Sequence, residues 1–357
     1  MERKPQQIIE EIRNNGGEVY SISRLNTINQ CPYQAYLNYV KGVKGKDNCW
    51  SSLGGATHDA LEACVKDGAD ESCIAEAIKE ELDMLTTLGI DFPLDRNGNP
   101  TLRDNWIANM KGFASHFKTP KGNFKTEQFV LYQIDEDSYM QGYIDLMRYN
   151  DDGSIDIYDW KTSSQFDKAH LIEAGRQLIF YMLAIQNSEP EHFVKSVNWV
   201  MLKYASIGWT AKNGKKQSKT VEWRKVGTEM KKKIEKDMIA AGYNDIEIEQ
   251  RLEYLIIDND FSRQVPEIQE KYTLSPYVRN YEITDERVQE TLEYIKSSIA
   301  KFKEWGSVES NYYPIDCHEN SFFCNNLCSY GKDLCKHYAE YLVETEIDVD
   351  EIEDLFA

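Results

Sequence analysis

Two aspartates and a lysine interrupt apolar, strand-like runs near the middle of the 357-residue chain. Asp159 and Lys161 are two residues apart, so their side chains project from the same face of a predicted strand. A three-residue turn at 151–153 would place Asp145 directly opposite Asp159, with Cβ atoms about 5 Å apart. Carboxylates this close repel each other unless a proton or a cation lies between them.

This carboxylate pair suits Mg²⁺, which prefers hard oxygen ligands and usually keeps several waters. Lys161 would then lie beside those waters, where an amine can orient a nucleophile or stabilise negative charge on a phosphate. A solvated hairpin with unrelated charges is the alternative that the bare spacing leaves open. The metal site is favoured because both aspartates interrupt apolar strands.

The surrounding residues predict the elements that must hold this group. Alternating apolar residues predict strands at 127–134, 139–149 and 155–161, and an amphipathic pattern predicts a helix at 168–186. Another strand is predicted at 194–205. Further helices are predicted after a cap at Ser21 or Ser23, at 33–42, from near Leu53 and at 285–305. The order α-β-β-β-α-β predicts an α/β fold with a central mixed sheet flanked by helices.

Composition places the chain among globular proteins, with 41% hydrophobic and 12% aromatic residues. The first residues carry no apolar signal region, and the longest apolar run, LIFYMLAI, is too short to span a bilayer. A cytoplasmic protein is therefore expected. Eight cysteines without a secretory signal indicate metal ligation or buried thiols rather than a disulfide framework.

Charge is distributed unevenly along the chain. The net charge of −19 at pH 7 is unfavourable for a nucleic-acid-binding protein, which needs cations for phosphates. Residues 211–236 nevertheless contain ten Lys or Arg and three Glu, whereas residues 340–357 contain eight acidic residues and no basic one. The distribution is therefore more informative than the sum.

Three motifs closely resemble those of a known nuclease family. GYIDLM, IYDWKTSS and QLIFY follow the order of the G-x-x-D strand, the (D/E)-x-K strand and the Q-x-x-x-Y helix of RecB-type nucleases, a branch of the PD-(D/E)xK superfamily. The resemblance implies a restriction-endonuclease-like core. It further implies that Asp145, Asp159 and the backbone carbonyl of Trp160 bind the catalytic metal, and that Lys161 is catalytic.

The same resemblance extends to residues outside the hairpin. It places Gln177 and Tyr181, one helical turn apart, at the active site, although such a pair also fits the core and rim of an amphipathic helix. A G-x-x-x-H helix of the family is matched by Gly54 to His58, which implies that His58 is a metal ligand. Glu62 is interpreted as structural, and Glu127 as a supporting residue.

Cysteines near both ends of the chain resemble the iron–sulfur subset of this family, which includes AddB-type and CRISPR adaptation nucleases. There, one early cysteine and three late ones hold a four-iron four-sulfur cluster. The resemblance implies that the ligands here are Cys31, Cys324, Cys328 and Cys335. The late spacing, C-x3-C-x6-C, departs from the commonest C-x2-C-x5-C, and Cys317 could replace one ligand. Structural zinc is the chemical alternative. The remaining cysteines, Cys49, Cys64 and Cys73, are interpreted as core thiols.

Basic residues concentrate in a segment that could bind DNA. The candidate contacts are Lys212, Lys215, Lys216, Lys219, Trp223, Lys231, Lys232 and Lys233. Cations would contact phosphates and Trp223 would stack on a base, although a solvated helix face has a similar composition. The acidic tail is interpreted as disordered and solubilising, with docking to a replication or recombination partner as the alternative.

The predicted organisation has five parts. These are N-terminal helices with the first cluster cysteine (1–45), the nuclease core (46–205), a basic helical insertion (206–274), a return to the core with the C-terminal cysteine-rich segment (275–338), and an acidic tail (339–357).

The resemblance implies a DNA exonuclease that depends on Mg²⁺ or Mn²⁺ and acts in recombination, repair, phage replication or CRISPR adaptation. DNA with single-stranded character is the expected partner. An endonuclease on the same fold and a non-catalytic subunit that binds DNA ends are the two rival hypotheses.

Overall fold

The computed structural model describes residues 4–95, 97–168, 170–211 and 213–355. Its helices are α1 (Pro5–Asn14), α2 (Ile22–Gln30), α3 (Pro32–Ala35), α4 (Cys49–Glu62), α5 (Cys73–Leu88), α6 (Thr101–His116), α7 (Leu171–Ser188), α8 (Val226–Ala241), α9 (Asp245–Asp258), α10 (Pro266–Lys271), α11 (Asp285–Trp305), α12 (Ser321–Asn326), α13 (Gly331–Leu334) and α14 (Lys336–Leu355). Its strands are β1 (Glu18–Tyr20), β2 (Asn123–Gln133), β3 (Ser138–Tyr149), β4 (Ser154–Lys161), β5 (Phe193–Thr210), β6 (Lys216–Glu222) and β7 (Tyr272–Tyr281).

The strands form one mixed sheet in the order β1-β3-β4-β5-β6, with β2 paired to β3 and β7 paired to β5. The β3–β4 pair is antiparallel, whereas β4 and β5 are parallel and are connected through α7. A parallel connection needs a crossover, and a helix of this length provides it. The predicted α/β fold, a mixed sheet flanked by helices, is confirmed.

The hairpin between β3 and β4 sets the register of the predicted site. Asn150 N donates to Ser154 O at 2.8 Å and Gly153 N donates to Asn150 O at 3.0 Å. Gly153 has a φ of 79°, which glycine adopts without steric cost and which closes the three-residue loop. Leu146 consequently opposes Tyr158, one position away from the two aspartates. The predicted register is confirmed.

Two hydrophobic clusters cover the two faces of the sheet. Ile155 and Ile157 of β4 pack in the cluster that contains Leu178 of α7, whereas Trp160 packs in the cluster that contains Phe113 of α6. Side chains alternate between faces along a strand. Asp159 therefore continues the series of Ile155 and Ile157 and lies on the face covered by α7.

A glycine in β3 lets α7 lie close to the sheet. A Cβ atom at Gly142 of β3 would lie 2.8 Å from Tyr181 Cε1 and 2.9 Å from Phe180 Cε1, closer than real side chains pack. The glycine of the G-x-x-D motif is thus explained by helix packing. It brings the Gln177–Tyr181 face of α7 against the sheet next to Asp145.

The sequence predicted a helical insertion at 206–274, but the segment is not purely helical. It contains α8, α9 and α10, but β5 runs on to Thr210 and pairs in antiparallel fashion with β6. The strand continues because Ala205 and Ile207 are completely buried in the core. The basic segment is therefore divided between a β-hairpin and helix α8.

Residues 339–355 of the tail, which was expected to be disordered, belong instead to α14. Phe356 and Ala357 lie outside the described residues. Glutamate is a good helix former, so a high acidic content does not prevent helix formation. None of the described helices has the length and apolar character needed to cross a lipid bilayer.

Segments from the two ends of the chain lie side by side. Tyr33 N donates to Tyr313 O at 3.1 Å, and Lys46 N donates to Ser329 O at 2.6 Å. Tyr330 adds a hydrogen bond from its hydroxyl to Val43 O at 2.9 Å. The neighbourhood of Cys31 is thereby joined to the C-terminal cysteine-rich segment, here defined as 312–335.

Candidate active site

Asp145 of β3 and Asp159 of β4 lie buried at the end of the hairpin, with exposed fractions of 8% and 1%. Trp160 N donates a hydrogen bond of 2.6 Å to Asp145 Oδ2. Asp159 Oδ2 lies 2.7 Å from Lys161 Nζ as an ion pair, but accepts no hydrogen bond of suitable geometry from the described residues. The structure thus brings the two aspartates and the lysine together.

The surroundings of Asp145 strongly disfavour its charged form. Burial, and then the neighbouring charge of Asp159, raise the pKa of Asp145 well above its ordinary value. A second positive charge near the pair would relieve this repulsion. A buried carboxylate oxygen without a hydrogen bond, beside a second carboxylate, is a donor set that fits a hard divalent cation.

Side chains alone do not complete a metal site here. Within the described ranges, no three His, Cys, Asp or Glu side chains converge closely enough to hold a metal ion. A cation between Asp145 and Asp159 would therefore need further ligands, such as water and the backbone carbonyl of Trp160. Mg²⁺ is suited to such a site because it is commonly bound by one or two carboxylates and keeps several waters.

Lys161 belongs to a short hydrogen-bonded chain that includes α7. Its Nζ donates to Gln177 Oε1 at 3.1 Å, and Gln177 Nε2 donates to Tyr181 OH at 2.7 Å. Burial alone would lower the pKa of Lys161, but the charges of Asp159 and Asp145 outweigh it and raise the pKa overall. Lys161 is therefore a fixed cation at neutral pH, held by the glutamine that the sequence analysis selected.

His58 of α4 reaches the same carboxylates from another element. Its Nδ1 lies 3.7 Å from Asp145 Oδ2, and its ring meets the Trp160 ring edge to face at 5.6 Å. Burial lowers the pKa of His58, although Asp159 opposes that effect. The imidazole is therefore neutral at pH 7, the form that can bind a metal. Asn48 fixes the start of α4 by accepting hydrogen bonds from two amides of its first turn.

Glu127, predicted to support the site, has an unusual backbone. Its φ of 46° interrupts the pairing of β2 with β3 at the position opposite Asp145. Burial, followed by the charges of Glu62 and Asp59, raises its pKa. A third carboxyl group therefore lies near the pair, and its supporting role stays a prediction. Glu62, interpreted as structural, forms an ion pair of 2.9 Å with Lys66.

Trp223 is not available for DNA, contrary to the sequence-based prediction. It is 1% exposed, its Nε1 donates to Leu202 O at 3.0 Å, and its ring stacks on His116 with centroids 4.9 Å apart. A tryptophan between basic residues resembles a stacking residue in sequence. Here it is a core residue that anchors the insertion to β5 and α6.

The predicted DNA-binding lysines differ in their surroundings. Lys215, Lys216, Lys231 and Lys232 are exposed. Lys219 Nζ forms an ion pair of 2.6 Å with Glu229, and Lys233 Nζ lies 4.4 Å from the centroid of the Trp209 ring. Lys212 lies outside the described residues. The exposed lysines remain candidates for phosphate contacts.

Five cysteines gather where the two ends of the chain meet. Cys317 Sγ and Cys324 Sγ are 3.4 Å apart. Burial raises the pKa of Cys317, Cys324, Cys328 and Cys335, and a charge on nearby Cys31 adds to the rise for each. The five thiols thus share one region of the fold, but among the described residues no three of them converge closely enough to hold a metal ion. The role of Cys317 was left open by spacing alone.

The remaining cysteines lie elsewhere. Cys49 and Cys64 are buried, and Cys73 is partly buried with its Sγ 3.4 Å from Cys64 Sγ. This agrees with their interpretation as core thiols.

Lys203 of β5 was not selected from the sequence. It is half-buried beyond the end of β4, and its Nζ donates to Ser164 Oγ at 3.3 Å. The one signal in the sequence is a lysine within the otherwise apolar run VMLKYA. Its proximity to Ser164 depends on the parallel pairing of β4 with β5, which a local pattern does not reveal.

Comparison with protein families gives a match over most of the chain. The sequence model of the PD-(D/E)XK nuclease superfamily matches residues 19–331, a range that includes every element of the candidate active site. No curated protein matches the chain significantly. The mixed sheet flanked by helices is consistent with the restriction-endonuclease-like fold.

Proposed function

The chain belongs to the PD-(D/E)XK nuclease superfamily, and on this premise we propose that it is a metal-dependent deoxyribonuclease that digests DNA from its ends. The observation that carries the proposal is the buried pair of Asp145 and Asp159 beside the fixed cation Lys161. Nucleases of this superfamily generally use divalent metals, and we propose Mg²⁺ or Mn²⁺ here. The reaction is hydrolysis of a phosphodiester bond.

The residues of the site have distinct roles in this proposal. Asp145, Asp159 and the backbone carbonyl of Trp160 would hold the metal. His58, whose Nδ1 lies 3.7 Å from Asp145 Oδ2, would have to move closer to add a nitrogen ligand. The bound metal would polarise the phosphate and lower the pKa of a bound water. Gln177 and Tyr181 keep Lys161 in place, because Gln177 is hydrogen-bonded to both. Lys161 remains protonated and stabilises the negative charge that develops on the phosphate.

We further propose that the chain belongs to the iron–sulfur subset of the family. The proposal rests on the resemblance and on the hydrogen bonds that join the neighbourhood of Cys31 to the segment with Cys324, Cys328 and Cys335. A four-iron four-sulfur cluster would need these thiols to move closer together than they lie here. Cys317, whose Sγ contacts that of Cys324, is the alternative ligand. Zinc bound by four thiolates would join the same segments. The five-part division of the chain stays part of this proposal, with a hairpin added to the insertion.

Digestion of end-labelled DNA tests the proposed activity. Single-stranded and double-stranded substrates are incubated with Mg²⁺ or Mn²⁺, and released nucleotides are separated by length. An exonuclease releases short products progressively from linear DNA and leaves circular single-stranded DNA intact. Cleavage of the circle would identify the rival endonuclease. DNA binding without any metal-dependent product would instead favour the non-catalytic subunit that binds DNA ends.

The biological setting is a further part of the proposal. We propose that the enzyme processes DNA ends in recombination, repair, phage replication or CRISPR adaptation. The exposed lysines of the insertion support DNA as the partner.

A further inference from the structure

An open groove of about 550 Å³ begins at the end of β4, after Lys161. Thr162, Ser163 and Ser164, which directly follow Lys161, form one side of the groove. Lys203 of β5 lines it next to them. The groove has the volume of a small-molecule site and is continuous in sequence with the candidate active site. A substrate held at Lys161 would therefore extend into it.

The polar side of this groove is suited to a phosphate. Lys203 contacts Ser164, and within the described part of the chain no carboxylate forms an ion pair with it. Burial lowers the pKa of Lys203, and the opposing charge of Glu222 does not overcome this effect. The carboxylate that also lines the groove, Glu222, is held by Arg224 and Lys225 at 2.6 and 2.9 Å. The net charge of this side is therefore positive.

The groove also has an apolar lining, which comes from the cysteine-rich segment and from α4. Phe322 and Leu327 are 52% and 38% exposed and line the groove together with Trp50 of α4. Asn48 Nδ2 donates to Leu327 O at 3.3 Å, which ties the cysteine-rich segment to the start of α4. An exposed phenylalanine on an anchored wall is a suitable surface on which a nucleobase can stack.

We propose that this groove is a nucleotide subsite next to the scissile phosphate, in which Phe322 stacks on a base of single-stranded DNA and Lys203 binds the adjacent backbone phosphate. The inference rests on the proposed nuclease function and specifies its substrate. Stacking on Phe322 requires an unpaired base, so the substrate end must be single-stranded or frayed. The cysteine-rich segment then has a second role, because it forms a wall of the substrate path.

Binding of a fluorescein-labelled single-stranded oligonucleotide, measured by anisotropy in EDTA, tests the subsite without cleavage. Phe322→Ala should weaken binding roughly 5- to 150-fold, the range expected for one stacked base. Phe322→Tyr, which keeps a ring, should bind like the wild type. The matched control is Phe193→Ala, since Phe193 is 54% exposed but lies at the start of β5, outside the groove lining.

Lys203 is tested through the salt dependence of the same binding. Lys203→Gln should flatten the slope of log affinity against log salt by about 0.7, the value for one phosphate contact with single-stranded DNA. Lys203→Arg should restore the wild-type slope, and Lys79→Gln, at an exposed position of α5, should not change it. Circular dichroism of each variant checks that the fold is intact, and the arginine variant provides a second test if the glutamine variant does not fold.

The outcomes separate this subsite from the proposed activity. Wild-type binding in either Phe322→Ala or Lys203→Gln overturns the subsite, even if the wild-type protein cleaves DNA. A wild-type protein that binds DNA through both residues but never cleaves it overturns the proposed nuclease activity and supports the subsite.

Discussion

At the scale of residues, Asp145 and Asp159 lie side by side but differ in their hydrogen bonds. Asp145 accepts a hydrogen bond from Trp160 N, whereas among the described residues Asp159 Oδ2 has an ion pair with Lys161 and no hydrogen bond of suitable geometry. Both carboxylates are buried, so neither is stabilised by water. This arrangement is costly for stability, and the proposed cation would offset that cost.

Replacing Asp159 or Lys161 should abolish metal-dependent cleavage. Asp159→Ala removes a proposed metal ligand, and Lys161→Ala removes the cation that stabilises the developing charge. A loss of at least about 10²-fold in the rate at saturating DNA is expected for each. Single-turnover digestion of labelled DNA measures the rate. Lys195→Ala removes an exposed lysine that pairs with Asp152, and it should cleave like the wild type. Wild-type rates in the Asp159 or Lys161 variant would refute the assignment.

The raised pKa of Asp145 predicts that this residue destabilises the metal-free protein at neutral pH. An acid whose pKa is higher in the folded state binds its proton more tightly there, so its contribution to stability falls as pH rises above the ordinary Asp value. Asp145→Asn should therefore increase the free energy of unfolding at pH 7 in EDTA by on the order of 1 kcal/mol. The asparagine Oδ1 can still accept the hydrogen bond from Trp160 N.

Thermal unfolding followed by circular dichroism checks this expectation. The difference between variant and wild type should narrow as the pH is lowered towards the ordinary range of aspartate. Mg²⁺ should raise the Tm of the wild type but not that of Asp145→Asn, which should also be inactive. Equal stability of the two metal-free proteins at pH 7 and pH 5 would show that the carboxylate is not strained.

At the scale of elements, the site depends on how closely α7 packs against β3. Gly142→Ala would place a Cβ 2.8 Å from the Tyr181 ring and 2.9 Å from the Phe180 ring. Overpacking of this kind costs typically about 1–3 kcal/mol. It should also displace Gln177 from Lys161, so a lower cleavage rate is expected together with a lower Tm.

Gly55→Ala is the matched control for this substitution. A Cβ at Gly55 has no atom within 4 Å, and Gly55 lies inside helix α4. Alanine is favoured over glycine within helices by roughly 0.5–1 kcal/mol, so Gly55→Ala should raise stability. Urea unfolding measures both variants. An unchanged midpoint for Gly142→Ala would mean that α7 shifts without cost.

Local sequence patterns predicted the β3–β4 hairpin but not the structure of the insertion at 206–274. The hairpin register follows from a short turn and from the alternation of Ile155, Ile157 and Asp159, all of which are local. The pairing of β6 with β5 and the burial of Trp223 depend on contacts with Leu202 and His116, which are distant in sequence. Because the neighbours of Trp223 in sequence are basic and polar, the sequence predicted a DNA-stacking residue where the fold has a core tryptophan.

At the scale of the whole molecule, the first and last segments are joined around the cysteines. A cluster there would contribute to stability because it binds the folded chain and not the unfolded one.

Anaerobically purified protein should be brown, with a broad charge-transfer absorption. Cys324→Ser should lose the colour and lower the Tm, whereas Cys73→Ser, outside the gathering, should remain brown. Colourless protein with stoichiometric zinc and no iron would contradict the cluster while preserving the link between the chain ends.

The sequence could indicate these cysteines as candidate ligands only through the resemblance. Cys31 and Cys324 are separated by most of the chain, so no local pattern shows that they meet. The hydrogen bonds from Tyr33 to Tyr313 and from Lys46 to Ser329 supply the reason. The proximity of Cys317 to Cys324 is likewise a property of the fold.

The net charge of −19 opposes binding to DNA, so DNA affinity must depend on local groups of basic residues. Lys231 and Lys232 are exposed on α8, whereas Lys219 pairs with Glu229 and Lys233 lies over Trp209. The first two should therefore supply phosphate contacts. Each contact with single-stranded DNA contributes about −0.7 to the slope of log affinity against log salt. The Lys231→Ala/Lys232→Ala double variant should flatten the slope by about 1.4.

Anisotropy titrations between low and moderate salt measure this slope. The control is the double variant Lys79→Ala/Lys296→Ala, which removes the same amount of charge from exposed positions of α5 and α11. A general electrostatic effect would change both double variants equally, whereas direct contacts change only the first. Cleavage at saturating DNA should be unaffected in both, because the candidate metal site is intact and only ground-state binding is weakened. If the two slopes are the same, α8 is a solvated surface. The DNA must then be held by the catalytic face itself, where a metal offsets the carboxylates.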